Sequence, residues 1–303
     1  MTLPTTTRFQ FTDFDPTHFR AAPRRTAIGE WIVEDVSFAA PGTSERPPLV
    51  FIGGAFQNAA SFLREVRRFL PQRPILIVDL PGQGQNDQLS GALTFDDFAT
   101  LLERFLQRQG IDRIVPVGLS YGSGIAYTFA QKFPERVDRL ILGGTTEQIR
   151  LRVDRALRSS FWYLDQGRDD AFASAVVHHL LNLPHRAETG VGDRLIQALR
   201  AGMLELTDVE RVRYRQNSAR LFTDKLRGGV SCRTMVFTAR FDHFTAPFEG
   251  VAIASRCSPS EFVLIENGDH LAPIGNSKTV LALYDAFLND RPLADVPGVL
   301  TGA

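Results

Sequence analysis

Cysteine is nearly absent from this 303-residue chain, Cys232 and Cys257 being its only two. They stand in no Cys-x-x-Cys or metal-ligand spacing, which argues against a disulfide scaffold, a structural zinc site and a dithiol redox motif. Both fall in segments that read as buried, which predicts two reduced core thiols. Net charge is missing as well: 34 Lys and Arg balance 34 Asp and Glu. No global field therefore draws the chain to nucleic acid or to an anionic membrane, and neither partner is expected. Long apolar runs are also lacking. Those at 75–78 and 140–142 fall far short of the roughly 18 residues a spanning helix needs. The first nineteen residues are broken by Pro, Thr and Asp and carry neither a basic start nor an apolar stretch, so they do not resemble a secretory signal. A cytoplasmic protein without a membrane span is the expectation.

What is present is an ordinary globular balance, 44% apolar and 22% charged residues, in a chain long enough for one large core. From residue 30 onward, short β-branched runs alternate with helical periodicity. That pattern predicts an α/β fold with a mostly parallel sheet covered on both faces by helices. Strands are expected at 31–38, 49–52, 74–79, 113–119, 137–143, 232–238 and 261–265, and helices at 59–70, 94–109, 121–133 and 277–288. The second helix opens on Thr94-Phe-Asp-Asp97, a capping-box start, and its inward stripe is Phe98, Leu101, Leu102 and Phe105. Between 148 and 229 the rhythm breaks. No strand pattern appears there, and fourteen Arg and Lys against ten Asp and Glu leave a net charge of +4. The expected organisation is an N-terminal arm over 1–29, a core formed by 30–147 and 230–303, and an inserted helical lid over 148–229.

The chemistry-bearing residues cluster around Gly118-Leu-Ser-Tyr-Gly122, which joins a predicted strand to a predicted helix. A sharp turn of this kind needs flanks without bulk, and it presents the Ser120 hydroxyl at the carboxyl edge of a sheet beside a helix N-terminus. A serine hydroxyl is a poor nucleophile until a base takes its proton, so the pattern also demands a histidine and an orienting carboxylate. Of six histidines, His18 lies in the arm, His178, His179 and His185 lie in the lid, and His243 adjoins the candidate acid. His270, in the loop after the last predicted strand, has the required place, and Asp242 follows the strand before it. Glu147 and Asp269 compete as the acid. Glu147 follows the strand after the Ser120 helix, whereas Asp269, adjacent to His270, would point its side chain away. Tyr121 N–H and the loop Gly53-Gly-Ala-Phe56 are the candidate oxyanion donors, with Ala55 N–H the expected second amide. The loop Asp79-Leu-Pro-Gly-Gln-Gly84 lacks the third glycine of a dinucleotide fingerprint and reads as structural.

Taken together, these motifs resemble the α/β-hydrolase superfamily across residues 30 to 290, although Gly53 stands where a His is common and Asn86 where a Ser often closes the loop. Within that superfamily the sequence is similar to the branch containing hydroxyalkanoyloxyalkanoate synthase and 3-hydroxyacyl carrier-protein transacylases. The matching pieces are Gly54-Ala55 followed by Ala60-Ser-Phe62, His179-Leu-Leu-Asn182 and Asp242-x-Phe-Thr-Ala246. The resemblance implies acyl transfer or hydrolysis at Ser120 with Asp242 and His270, on small-molecule esters or thioesters. Its substrates would be medium-chain 3-hydroxyacyl groups on an acyl carrier protein or coenzyme A. Phe56, Phe161 and Trp162 are the candidate substrate-binding residues, and the chemistry needs no metal or organic cofactor. A small-molecule carboxylesterase or lactonase is the first alternative, and a non-catalytic binding module of the same fold the second.

Overall fold

The computed structural model describes residues 12–19, 22–41 and 45–302. They form two compact units: the described residues up to Ile141 with Gly228–Arg233, and Leu142–Arg227 with the described residues from Thr234 onward.

In the first unit, strands β1 (Arg24–Ile28), β2 (Trp31–Phe38), β3 (Leu49–Ile52), β4 (Ile75–Asp79) and β5 (Val115–Leu119) lie in the order β1-β2-β4-β3-β5. β3 is parallel to both β4 and β5, and β2 is antiparallel to β1 and β4. Every residue of β3, β4 and β5 is buried, as expected of strands covered on both faces, and this is why they read as unbroken apolar runs. β1 falls inside the expected N-terminal arm, of which residues 1–11, 20 and 21 lie outside the described residues. It folds back through Gly29, at φ 65°, and sets Arg24 opposite Asp35 and Arg25 opposite Glu34. Both β2 carboxylates are buried. Burial pushes the Asp35 carboxyl up, and Arg24, donating to it at 2.5 Å, pulls it part of the way back.

Thr94 starts the helix Phe95–Gln109 as expected. Its hydroxyl accepts Asp97 N–H at 3.2 Å, and Asp97 Oδ2 accepts Thr94 N–H at 2.8 Å. Phe98, Leu101, Leu102 and Phe105 are all buried. The helix packs on Tyr121–Lys132, where Gly124 makes room for the Phe95 ring: a Cβ there would stand 2.7 Å from it.

β6 (Arg139–Gly143) carries the chain into the second unit, where β7 (Arg233–Ala239) pairs in parallel with β8 (Ser260–Ile265) and β9 (Val299–Gly302) runs antiparallel on β8. The helix Ser277–Leu288 lies where periodicity places it. The helix Pro247–Ala254 was not expected; Pro247 opens it, and Glu249 Oε2 accepts Ala246 N–H at 2.7 Å. The stretch 148–229 contains no strand. Its longer helices are Leu151–Asp165, Asp169–Leu180, Asp193–Leu204 and Asp208–Thr223. Val177, Leu181 and Val191 form a buried cluster there, against which Leu195, Ile196, Leu199 and Leu271 pack. Neither cysteine is in a disulfide. Cys257 is buried, but Cys232 is only half-buried, because full burial along β7 begins at Thr234.

Candidate active site

Ser120 stands between β5 and the helix Tyr121–Lys132 with φ 50° and ψ −119°, a positive-φ conformation that costs a side-chain-bearing residue about 1–3 kcal/mol. The flanking glycines are steric requirements. A Cβ on Gly118 would lie 2.6 Å from Ala126 Cβ and 2.7 Å from the Gly122 carbonyl oxygen; one on Gly122 would lie 2.2 Å from the Ile52 carbonyl oxygen. The elbow motif is therefore what lets this helix seat on β5 and on the end of β3. The Ser120 carbonyl accepts Ser123 N–H at 2.9 Å and the Ser123 hydroxyl at 2.5 Å.

The loop after β3 passes beside the elbow: a Cβ on Gly54 would be 3.4 Å from Ser120 Cβ. Two glutamines hold that loop, Gln57 Oε1 accepting Gly54 N–H at 2.8 Å and Gln83 Nε2 donating to the Gly53 carbonyl at 3.0 Å. Half-buried Ala55 N–H donates to no acceptor among the described residues. Tyr121 is the first residue of the helix that follows Ser120. Both amides expected to receive an oxyanion thus belong to segments bordering Ser120. The neighbouring 79–84 loop is structural: Gly84, at φ 49°, would place a Cβ 1.9 Å from Asp79 Oδ2, and Asn86 Nδ2 donates to the Ile32 carbonyl at 2.7 Å.

In the second unit the loops after β7 and β8 bring Asp242 and His270 together, with Oδ2 and Nδ1 2.9 Å apart and both side chains almost fully buried. Asp242 Oδ1 accepts the N–H groups of Phe244 at 2.9 Å and Thr245 at 2.8 Å, and the Thr245 hydroxyl donates to Oδ2 at 2.7 Å. A carboxylate held by these three donors orients the imidazole with its proton on Nδ1, leaving Nε2 as the basic nitrogen. Burial works to lower the His270 pKa, but the charge and hydrogen bond of Asp242, joined by the charge of Asp269, outweigh it and hold the imidazole above its ordinary value. Gly144, at φ 62°, permits the close approach, since a Cβ there would stand 3.2 Å from His270 Cε1. The Phe244 ring lies 4.8 Å from the imidazole.

The competing acids have other partners. Glu147 pairs with Arg256, while Asp269 accepts Asn182 N–H at 3.0 Å and Leu271 N–H at 3.1 Å. Burial raises the Asp269 carboxyl, an effect the two N–H groups partly offset. Of the expected substrate-binding residues, Phe56 is half-buried. Phe161 packs edge-on against Tyr214 at 5.1 Å, and Trp162 is 53% exposed beside Tyr163. Thr245, Gln83 and Gly144 were missed in the sequence. Of these, Thr245 lay within the Asp242-x-Phe-Thr-Ala246 run and Gln83 within Asp79-Leu-Pro-Gly-Gln-Gly84, whereas Gly144 carried no signal. Among the described residues no cluster of His, Cys, Asp and Glu has the form of a metal site, and no helix is long and apolar enough to cross a membrane.

Comparison with known proteins places these features in context. A family described as alpha/beta hydrolase fold matches residues 47–277. A probable serine hydrolase of Drosophila melanogaster is 28% identical over 126 residues, 38% of this chain and 38% of its own. A poly(3-hydroxyalkanoate) depolymerase of Ectopseudomonas oleovorans is 27% identical over 105 residues, 35% of this chain and 37% of its own. The chain thus spans under two-fifths of the length of these curated relatives. Among solved structures, MGS-M2, an alpha/beta hydrolase enzyme from a Medee basin deep-sea metagenome library, superposes with a TM-score of 0.79 at 19% identity, covering 89% of this chain and 98% of that one.

Proposed function

The chain belongs to the alpha/beta hydrolase fold family, and from that premise we propose that it opens ester or thioester bonds through an acyl intermediate on Ser120. The single observation that carries this reading is the positive-φ elbow, which holds Ser120 in a costly conformation beside the uncommitted amide of Ala55. Ser120 Oγ attacks the acyl carbonyl as His270 Nε2 takes its proton, and Asp242 stabilises the imidazolium. The oxyanion is received by Ala55 and Tyr121 N–H. Collapse breaks the bond to the leaving alcohol or thiol, which takes the proton from His270. Water or an alcohol then attacks the acyl-serine, with His270 again accepting a proton and finally returning one to Ser120.

The substrates proposed are medium-chain 3-hydroxyacyl groups on a carrier protein or coenzyme A, with 148–229 acting as a lid and Phe56, Phe161 and Trp162 meeting the chain. Support comes from the family resemblance and from the stretch shared with the depolymerase, whose name specifies a poly(3-hydroxyalkanoate). One observation favours a second reading, a carboxylesterase or lactonase acting on free small esters. Arg158, Arg186, Arg200, Arg211 and Arg215 are ion-paired with aspartates of the same helical stretch, so much of its basic charge is already matched. Octanoyl groups offered side by side as a free ester, a coenzyme A thioester and a carrier-protein thioester decide between them. A carrier preference that weakens with salt is the expected outcome of docking on basic side chains; equal rates at every salt concentration leave the esterase reading.

A further inference from the structure

We infer that Asn182 is a positioning residue that keeps the acid and base in register, an inference resting on the assignment of Asp242 and His270 above. The two residues sit on separate loops, and the contact at 2.9 Å between them survives only while those loops keep their relative position. Among the described residues, backbone bonds run from Arg240 N–H to the Ile265 carbonyl at 2.8 Å and from Phe241 N–H to the Gly268 carbonyl at 3.0 Å. Asn182 adds two more from the helical stretch. Its Nδ2 donates to the Phe241 carbonyl at 2.9 Å, and its own backbone N–H donates to Asp269 Oδ2 at 3.0 Å. Phe241 and Asp269 are the residues immediately before the acid and the base, so one residue grips both loops next to the chemistry.

Asn182 is itself well anchored. It follows the helix Asp169–Leu180, and the adjacent Leu181 is buried in the cluster that also receives Leu271, the residue after His270. On its other side, His185 stacks on the Phe241 ring at 4.8 Å. The helical stretch therefore holds the residues on both sides of His270 and the one before Asp242. Asn suits the position because its amide supplies a donor at the right reach; a carboxylate would turn an oxygen toward the carbonyl, and a serine hydroxyl would fall short. Misplacement of reacting groups by about an ångström costs roughly a hundredfold in rate. Loosening the clamp also weakens the hold of Asp242 on the imidazolium. The charged and titratable groups acting on His270 are Asp242 and Asp269, which raise its pKa, with His243 close by; slackening the first lets burial pull the base down.

The test compares Asn182→Ala and Asn182→Gln with the wild type, using turnover of a free octanoyl ester and the pH dependence of labelling by a small fluorophosphonate. Asn182→Ala is expected to lower kcat by roughly ten- to a hundredfold with KM changed less than about threefold, and to move the labelling midpoint to lower pH. Asn182→Gln, which keeps an amide donor, is expected to recover part of both. A folded Asn182→Ala with kcat and midpoint unchanged overturns the inference. So does a loss of kcat with an unmoved midpoint and no recovery in Asn182→Gln. If Asn182→Ala does not fold, Asn182→Ser is read by the same criteria. A wild type that resists the label, or a Ser120→Ala variant that still takes it, instead overturns the functional reading on which the inference rests.

Discussion

At the scale of single residues, the chemistry depends on how opposing forces set the basicity of His270. Burial favours the neutral ring, but Asp242 prevails and raises the pKa above the ordinary 6.5. The base must be neutral to accept a proton, so activity is lost as pH falls through this raised value. A pH profile of kcat/KM on a free ester should have its acid limb above 6.5, and a midpoint at or below that value contradicts the arrangement. Substitutions should rank accordingly. Ser120→Ala should fold and lose about four to six orders of magnitude in turnover, with His270→Ala comparable and Asp242→Asn less severe. Glu147→Gln should keep most activity, because Glu147 is bound to Arg256, and Asp269→Asn, which gives up one of the two backbone bonds Asp269 accepts, should lose less than Asp242→Asn. A larger loss at either than at Asp242 moves the acid.

Among the elements, the elbow is the most tightly constrained. Gly122→Ala puts a Cβ 2.2 Å from the Ile52 carbonyl oxygen, and no flexible side chain stands there to yield. Denaturant unfolding should show a loss of about 3 kcal/mol or a failure to fold. Gly202→Ala, in the helix Asp193–Leu204 with nothing within 4 Å, should instead gain about 0.5–1 kcal/mol through helix propensity. This contrast also explains what was legible in the sequence. β3, β4 and β5 are covered on both faces and so announce themselves as apolar runs, and the glycines at 118 and 122 record a local steric demand. β1 and β9 were invisible because they are largely exposed outer strands that need no apolar face. Thr245 was read only as part of a similar run, and the role of Asn182 was hidden by distance, its partners lying 59 and 87 residues away.

For the whole molecule, the substrate reading makes a quantitative demand. An acyl chain entering an apolar site gains about 0.8 kcal/mol per CH₂, nearly fourfold in affinity for each carbon. kcat/KM should therefore climb with chain length, peak at roughly eight to twelve carbons and then fall. A flat response from acetyl to dodecanoyl esters removes the acyl-chain reading and leaves the small-ester alternative. The central claim is acyl chemistry at Ser120 served by His270 and Asp242, and its most direct test is a measurement that reports on all three residues. That measurement is fluorophosphonate labelling of the full chain, followed by intact mass and peptide mapping. The account predicts a single adduct on Ser120, none in Ser120→Ala, and labelling slowed about a thousandfold or more in His270→Ala. An adduct on another residue, or labelling of His270→Ala at the wild-type rate, would contradict it.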